Sequence, residues 1–271
     1  MTRILGILNV TRDSFSDGGR CLDAEAAIAH GRRLASEGAD LIDIGAESTH
    51  PDSEDVPAEV ETARLEPVVA ALKADGLRVS VDTSKAPVMR RMLRLGVDMI
   101  NDVTALRDPD SVAAVLDSGA AVVLMHSVGP GPRADRWAAA PTDVLASILA
   151  FFERRMGALE RAGLARGRLV LDPGMGFFLG PDASTSLAVL RGLERLRALG
   201  APLLISTSRK SFIGALLADE SGAPRPVEQR AAGTLATEIW AALRGVDYIR
   251  THDVRQLRDA LRVLRALQER D

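Results

Sequence analysis

The stretch Gly38–Gly45, Gly-Ala-Asp-Leu-Ile-Asp-Ile-Gly, returns as Gly-Val-Asp-Met-Ile-Asn-Asp at 96–102 and as Gly-Val-Asp-Tyr-Ile-Arg at 245–250. Each copy reads as the same junction: glycine supplies a left-handed helix stop, and an apolar strand begins within a few residues. Looser versions occur at Gly76, Gly119 and Gly200. Counting by this rule predicts strands at 3–8, 41–44, 78–81, 99–100, 121–125, 169–171, 203–205 and 248–249. Helical patterns fall between them at 24–36, 57–74, 86–95, 109–118, 142–162, 184–199, 209–243 in two pieces, and 254–269. Eightfold βα alternation without a linker predicts the α/β class, as a single (β/α)8 TIM barrel over 1–271. A doubly wound open sheet shares this periodicity and stands as the alternative.

The first strand carries Ile4, Leu5, Ile7 and Leu8 without polar alternation, so both of its faces are covered, as in a parallel sheet. Asn9 ends that run, and the loop after it is polar and glycine-ended, with Asp13, Ser14, Ser16, Asp17, Gly18 and Gly19. Two further mobile or surface loops are read at 48–56 and 127–140, and a break in the seventh helix at 221–226.

With 46% hydrophobic and 26% charged residues the chain can bury a core, and its net charge of -3 gives no reason to expect nucleic acid or an anionic membrane as partner. The single cysteine, Cys21, allows no internal disulfide and has no evident base beside it, so it reads as a passenger. Together with the lack of a signal peptide or long apolar segment, this predicts a cytoplasmic protein.

The unusual polar residues gather where strands lead into helices: Asn9, Asp43 with Glu47, Asp82, Asn101, His126, Asp172, the run 206–211, and Arg250 with His252. In a barrel all strand C-termini open on one face, so residues far apart in sequence converge there. Asp82, Asn101 and Asp172 offer acceptors plus one amide donor, which suits the NH groups of a flat, nitrogen-rich heterocycle. Lys210, Arg250 and His252 supply the complement, an anion site suited to phosphate or diphosphate. The sequence contains no triad order, Cys/His metal cluster or phosphate-cradling GxxxxGK[ST] loop, so no covalent nucleophile is implied.

GILNVT, DSFSDGG, IDIGAEST, SVDTSKA, INDV, LMH, LDPGMGF, STSRKSFIG and RTHDV follow one another from residue 6 to 254. As an ordered set they resemble dihydropteroate synthase. The resemblance implies a barrel that condenses 6-hydroxymethyl-7,8-dihydropterin diphosphate with 4-aminobenzoate and releases diphosphate with help from Mg2+. It implies that Asn9 holds the metal ion, that Asp82, Asn101, Asp172 and Gly176 bind the pterin, and that Lys210 lies between the two substrates. Arg250 and His252 would grip the diphosphate, while Phe15, Thr49, Pro51 and Ser211 border the aminobenzoate; Lys210, Arg250 and His252 are the catalytic candidates. It also implies a homodimer formed through late helices, one of which carries Trp240.

The departures from the family pattern cluster in the loops. Arg12 replaces a proline, Ala46 a glycine, His50 an arginine and Asp52 a glycine, while Leu179 replaces a frequent lysine and Ser206 a glycine. Arginine forks onto two phosphate oxygens where histidine offers at most one charged contact, so loop two is expected to close weakly on the diphosphate unless Arg12 compensates. Two other readings stay open: a paralogous barrel acting on a different amine or pterin diphosphate, and a non-catalytic pterin-binding protein.

Overall fold

A computed structural model describes residues 2–10, 20–50, 52–129, 131–135 and 142–268, without the side chains of 20–23. The strands are β1 (Arg3–Asn9), β2 (Leu41–Gly45), β3 (Val79–Asp82), β4 (Met99–Asp102), β5 (Ala121–Met125), β6 (Leu169–Asp172), β7 (Leu204–Ile205) and β8 (Tyr248–Thr251). The helices are α1 (Arg20–Ser36), α2 (Ala58–Ala74), α3 (Ala86–Arg94), α4 (Pro109–Leu116), α5 (Val144–Arg161), α6 (Ala183–Arg191), α7 (Leu193–Arg197), α8 (Ser211–Leu216), α9 (Ala231–Leu243) and α10 (Val254–Gln268). All neighbouring strands pair in parallel in the order β6-β5-β4-β3-β2-β1-β8-β7. A parallel bridge between Leu171 and Leu203 joins the two edges, with the Leu171 N–H donating to Pro202 O at 2.8 Å. The result is a (β/α)8 TIM barrel.

The repeated junction explains how the strands are held in register. Gly38, Gly96 and Gly245 have φ of +103°, +79° and +71°, the left-handed stop the repeat predicts. The aspartate two residues on does more than end a helix. Asp40 accepts from the Ile4 N–H (2.7 Å), Asp98 from Val79 (2.8 Å) and Asp247 from Leu203 (2.9 Å). Each carboxylate thus satisfies an N–H at the start of the neighbouring strand, a donor that a bare strand end would leave unpaired.

Leu5, Leu41, Met99, Val123, Val170, Leu204 and Tyr248 form one buried cluster, the apolar floor inside the barrel. A larger cluster, including Ile4, Leu8, Ile42, Ile44 and Ile249, packs the outside of the sheet against the helices. Strand side chains alternate, so the residue two positions after each floor residue returns to the barrel interior one layer higher. Those residues are Ile7, Asp43, Asn101, Met125, Asp172, Ser206 and Arg250, and Asp82 stands in register with Asn101. An apolar layer therefore carries a mostly polar one.

Two expectations shift. Strands one, two, three, four, six and eight run one or two residues further than the apolar pattern indicates; in all but strand two the added residues include polar ones, Asn9, Asp82, Asn101, Asp172 and Arg250, that take part in strand pairing. The helix expected over 184–199 is two helices divided at Gly192, where a Cβ would lie 2.3 Å from Leu145 Cδ2. A side chain there would force the Leu145 side chain of α5 to move. Among the described residues no helix is long and apolar enough to cross a membrane.

Candidate active site

At the C-terminal mouth of the barrel Arg250 is the hub. Its Nε donates to Asp43 Oδ2 at 2.5 Å and its Nη2 to Asp82 Oδ2 at 2.9 Å, while Asn101 Nδ2 reaches the same Asp43 oxygen at 3.3 Å. Asp43 is fully buried and its Oδ1 has no hydrogen-bond partner among the described residues. Four strands, β2, β3, β4 and β8, are cross-braced by this network. Its polar groups are mutually oriented before any ligand arrives, which lowers the ordering cost of binding.

Above it lies a solvent-open recess of ≈ 350 Å³ lined by Thr49, Asp82, Asn101, Asp172, Lys210 and Arg250, with Val103, Met125, Met175 and Phe178 as its apolar walls and Ser206 beside them. Three carboxylates, counting Asp43 beneath, face two cations. Burial pushes the Asp172 carboxyl up to about 6, although the Gly174 N–H donates to it at 2.8 Å and Lys210 and Arg250 oppose the shift. Burial raises Asp82 as well, against the attraction of Arg250. Lys210 is brought down to about 8 by burial and then by Arg250, with Asp172 and Asp82 pulling the other way; its Nζ sits 5.1 Å from the centre of the Phe178 ring. A flat ligand with NH groups on one edge and an anionic tail matches this wall-and-edge chemistry.

Glycine placement is specific here. Gly174 has φ +74°, and a Cβ would come 2.3 Å from His126 O, so only glycine lets the chain turn back from Asp172. Gly176, at φ +64°, would place a Cβ 3.0 Å from Ser211 Oγ, so the absence of a side chain lets the β6 and β7 loops meet beside Lys210.

Among the other described predicted residues, Asn9 and His252 do not line this recess, while Thr49 lines it. Asn9 is exposed at the end of β1. His252 Nδ1 lies 2.9 Å from Ser208 Oγ, and burial followed by Arg209 and Arg250 lowers its pKa to about 3. Burial therefore favours the neutral form of this ring. Thr49 O accepts from the Ala134 N–H at 3.0 Å, which ties loop two to the loop after β5. His50 is exposed, with Nδ1 3.6 Å from Asp52 Oδ2. Ala46 and Leu179 are fully buried, so these two departures from the family pattern are packed into the core. Phe15, Pro51 and Arg12 lie outside the described residues.

Sequence reasoning noted Asp43 at its strand end without assigning it a role, and it missed the network beside the recess. Lys85 Nζ bonds Glu61 Oε2 at 2.7 Å and Glu47 Oε2, with Glu61 fully buried, and Arg133 reaches Ser53 Oγ (3.0 Å) and Asp55 (2.5 Å). The only sequence signal for it was the unusual charge in IDIGAEST and SVDTSKA.

Residues 5–252 match a family described as pterin binding enzyme. The chain is 48% identical over 267 residues to the dihydropteroate synthase type-2 of Escherichia coli, covering 98% of this chain and 96% of that one. A Xanthomonas albilineans dihydropteroate synthase solved with 4-aminobenzoic acid superposes with a TM-score of 0.90 at 46% identity, covering 100% of this chain and 94% of that chain. The same organism's enzyme in complex with 7,8-dihydropteroate gives 0.86 at 44% identity, with coverage of 100% and 95%.

Proposed function

The chain belongs to the dihydropteroate synthase family of pterin-binding enzymes, and from that premise we propose that it joins 6-hydroxymethyl-7,8-dihydropterin diphosphate to 4-aminobenzoate in folate biosynthesis. The bond between the exocyclic methylene carbon and the diphosphate oxygen breaks, the carbon bonds to the aryl amine nitrogen, and that nitrogen loses a proton. The observation that carries this reading is the Asp43–Arg250–Asp82 brace with Asn101, Asp172 and Lys210 around one recess.

In this reading Asp82, Asn101 and Asp172 accept from and donate to the pterin edge, and an ionised Asp172 stabilises the cationic character that grows on the pterin as its carbon–oxygen bond lengthens. Lys210 covers the ring against Phe178. The free guanidinium edge of Arg250 and the His252 ring N–H meet the departing diphosphate. Phe15, Thr49, Pro51 and Ser211 border the aminobenzoate.

Among the described residues no group of three His, Cys, Asp or Glu side chains could by itself hold a metal ion. The donor set fits Mg2+ only as an ion shared with substrate: Asn9 is an exposed, uncharged oxygen donor, and phosphate oxygens and water complete an octahedron in such sites. Bound there, Mg2+ would offset the negative charge of the leaving group. We place the enzyme in the cytoplasm, as its single cysteine suggests.

Asp172→Asn should weaken a pterin ligand by about 2–4 kcal/mol in calorimetry, since the amide turns a donor toward a pterin NH. Because the pKa of Asp172 is raised to about 6, wild-type affinity should also fall as pH drops through that value, where the carboxylate gains a proton. Unchanged affinity in the variant sinks the pterin assignment. His50→Arg should raise kcat/KM for the pterin diphosphate roughly tenfold, the effect of one added charge-assisted contact of about 1.4 kcal/mol. A flat response removes loop two from diphosphate binding.

We also propose a homodimer through the late helices. Trp240, Leu243, Val263 and Leu267 are exposed on α9 and α10, with Leu267 at 78%, apolar side chains a second copy would cover. Light scattering at micromolar concentration should give twice 28.9 kDa; the mass of one chain contradicts it.

A further inference from the structure

Lys210 follows a backbone turn that is held from outside the recess. Arg209, the residue before it, has φ +59°, a left-handed conformation that a non-glycine residue adopts only when its surroundings enforce it. The Lys210 N–H closes the turn onto Thr207 O at 3.1 Å, and the Arg209 N–H donates to Thr234 Oγ1 of α9 at 3.0 Å. The Arg209 side chain reaches Asp253 at 2.8 Å. One further side chain grips the turn from behind. Arg230, immediately before α9, donates from Nη1 to Arg209 O (2.9 Å) and more distantly to Lys210 O (3.4 Å), and from Nε to Arg225 O (2.8 Å).

Space for that guanidinium is left by Gly214 of α8. A Cβ at Gly214 would sit 2.6 Å from both Arg230 Nε and Nη2 and 2.7 Å from Cζ. The guanidinium thus lies flat on a helix that has no side chain at this position. It links the carbonyls of the Lys210 turn to the 225 loop.

We propose that Arg230 is a positioning residue for the synthase reaction: by bonding the carbonyls of Arg209 and Lys210 across Gly214, it fixes the strained turn that holds the Lys210 ammonium over the recess between Asp82, Asp172 and Phe178. A lysine at 230 would keep the charge but lack the planar fork needed to bridge separated carbonyls. The role in turnover rests on the proposed synthase reaction; the effect on Lys210 does not.

The sequence contains three lysines, Lys73, Lys85 and Lys210, so amine labelling of the intact protein with acetic anhydride across pH can be read peptide by peptide. In wild type the Lys210 midpoint should fall near 8. Arg230→Ala should raise it by about one pH unit or more, as the ammonium leaves the buried position beside Arg250 for water. It should also lower kcat/KM for the pterin diphosphate by roughly 10–100-fold, the scale of a misplacement of about 1 Å. Arg230→Lys should behave like the alanine variant, and millimolar guanidinium should restore part of the Arg230→Ala activity.

Gly214→Ala provides the second arm. It keeps Arg230 but displaces the guanidinium, and it places a better helix former in α8. It should reproduce the shifted Lys210 midpoint without a lower Tm. A Lys210 midpoint unchanged in both variants overturns the proposal, including the case in which Arg230→Ala merely lowers Tm. If wild type makes no dihydropteroate but the midpoint moves in both variants, the synthase reading fails while the control of Lys210 by Arg230 stands.

Discussion

Replacing Arg250 with methionine is expected to lower the unfolding free energy by about 3–5 kcal/mol near pH 8 and to abolish turnover. Arg250 is the direct partner of two carboxylates, Asp43 at 2.5 Å and Asp82 at 2.9 Å, and Asp43 is completely buried. Removing the cation leaves two adjacent carboxylates, one of them fully buried, without their partner, which costs more than the ion pair contributed. The pH dependence gives the prediction its sign. In wild type the guanidinium opposes the burial that raises Asp82, so in the variant the folded-state pKa of that carboxyl must rise further above its unfolded value. A group raised on folding contributes stability below its unfolded pKa and loses it as pH climbs through the folded one. The variant should therefore recover part of its deficit between pH 8 and pH 5.5 in urea titrations. A deficit under 1 kcal/mol, or one independent of pH, contradicts the brace.

Much of that brace could be read from the sequence, and the physical reason is the period of a strand. Once Gly-x-Asp junctions fix where strands begin, Asp82, Asn101, Asp172 and Arg250 fall at strand ends by counting, and barrel topology brings them together. What counting cannot give is pairing. Asp43 was visible at its strand end, but its bond to Arg250 spans 207 positions and depends on both side chains sharing the interior parity of β2 and β8. The lowered pKa of His252 was equally hidden, because it follows from burial and from the nearby cations Arg209 and Arg250. The junction aspartates were legible as helix stops only; that Asp40, Asp98 and Asp247 hold the neighbouring strand's N–H requires the sheet. Phe15 and Pro51 belong to the loops where the sequence departs from its family, and they lie outside the described residues.

The second large effect is expected away from the recess floor. Lys85→Met should cost about 3–5 kcal/mol in stability, because Glu61 is fully buried, relies on Lys85 at 2.7 Å for Oε2, and has no partner for Oε1 among the described residues. Pairing it with Glu61→Leu should return most of the loss, since two apolar side chains of similar size need no compensation. Glu47, the third member, begins loop two, and both it and Glu61 line a second recess of ≈ 300 Å³ that shares Thr49, Asp82 and Val103 with the first. The single variant should therefore also raise KM through a loosened loop two, while the double variant restores stability more completely than KM. Equal stability in Lys85→Met and wild type would show that Glu61 is stabilised by something other than this ion pair.

The most direct test of the account is to identify, by mass, the products formed when the protein is incubated with 6-hydroxymethyl-7,8-dihydropterin diphosphate, 4-aminobenzoate and Mg2+. The account predicts 7,8-dihydropteroate and one diphosphate for each pterin consumed. Recovery of hydrolysed pterin alone, or of unreacted substrates, would contradict it.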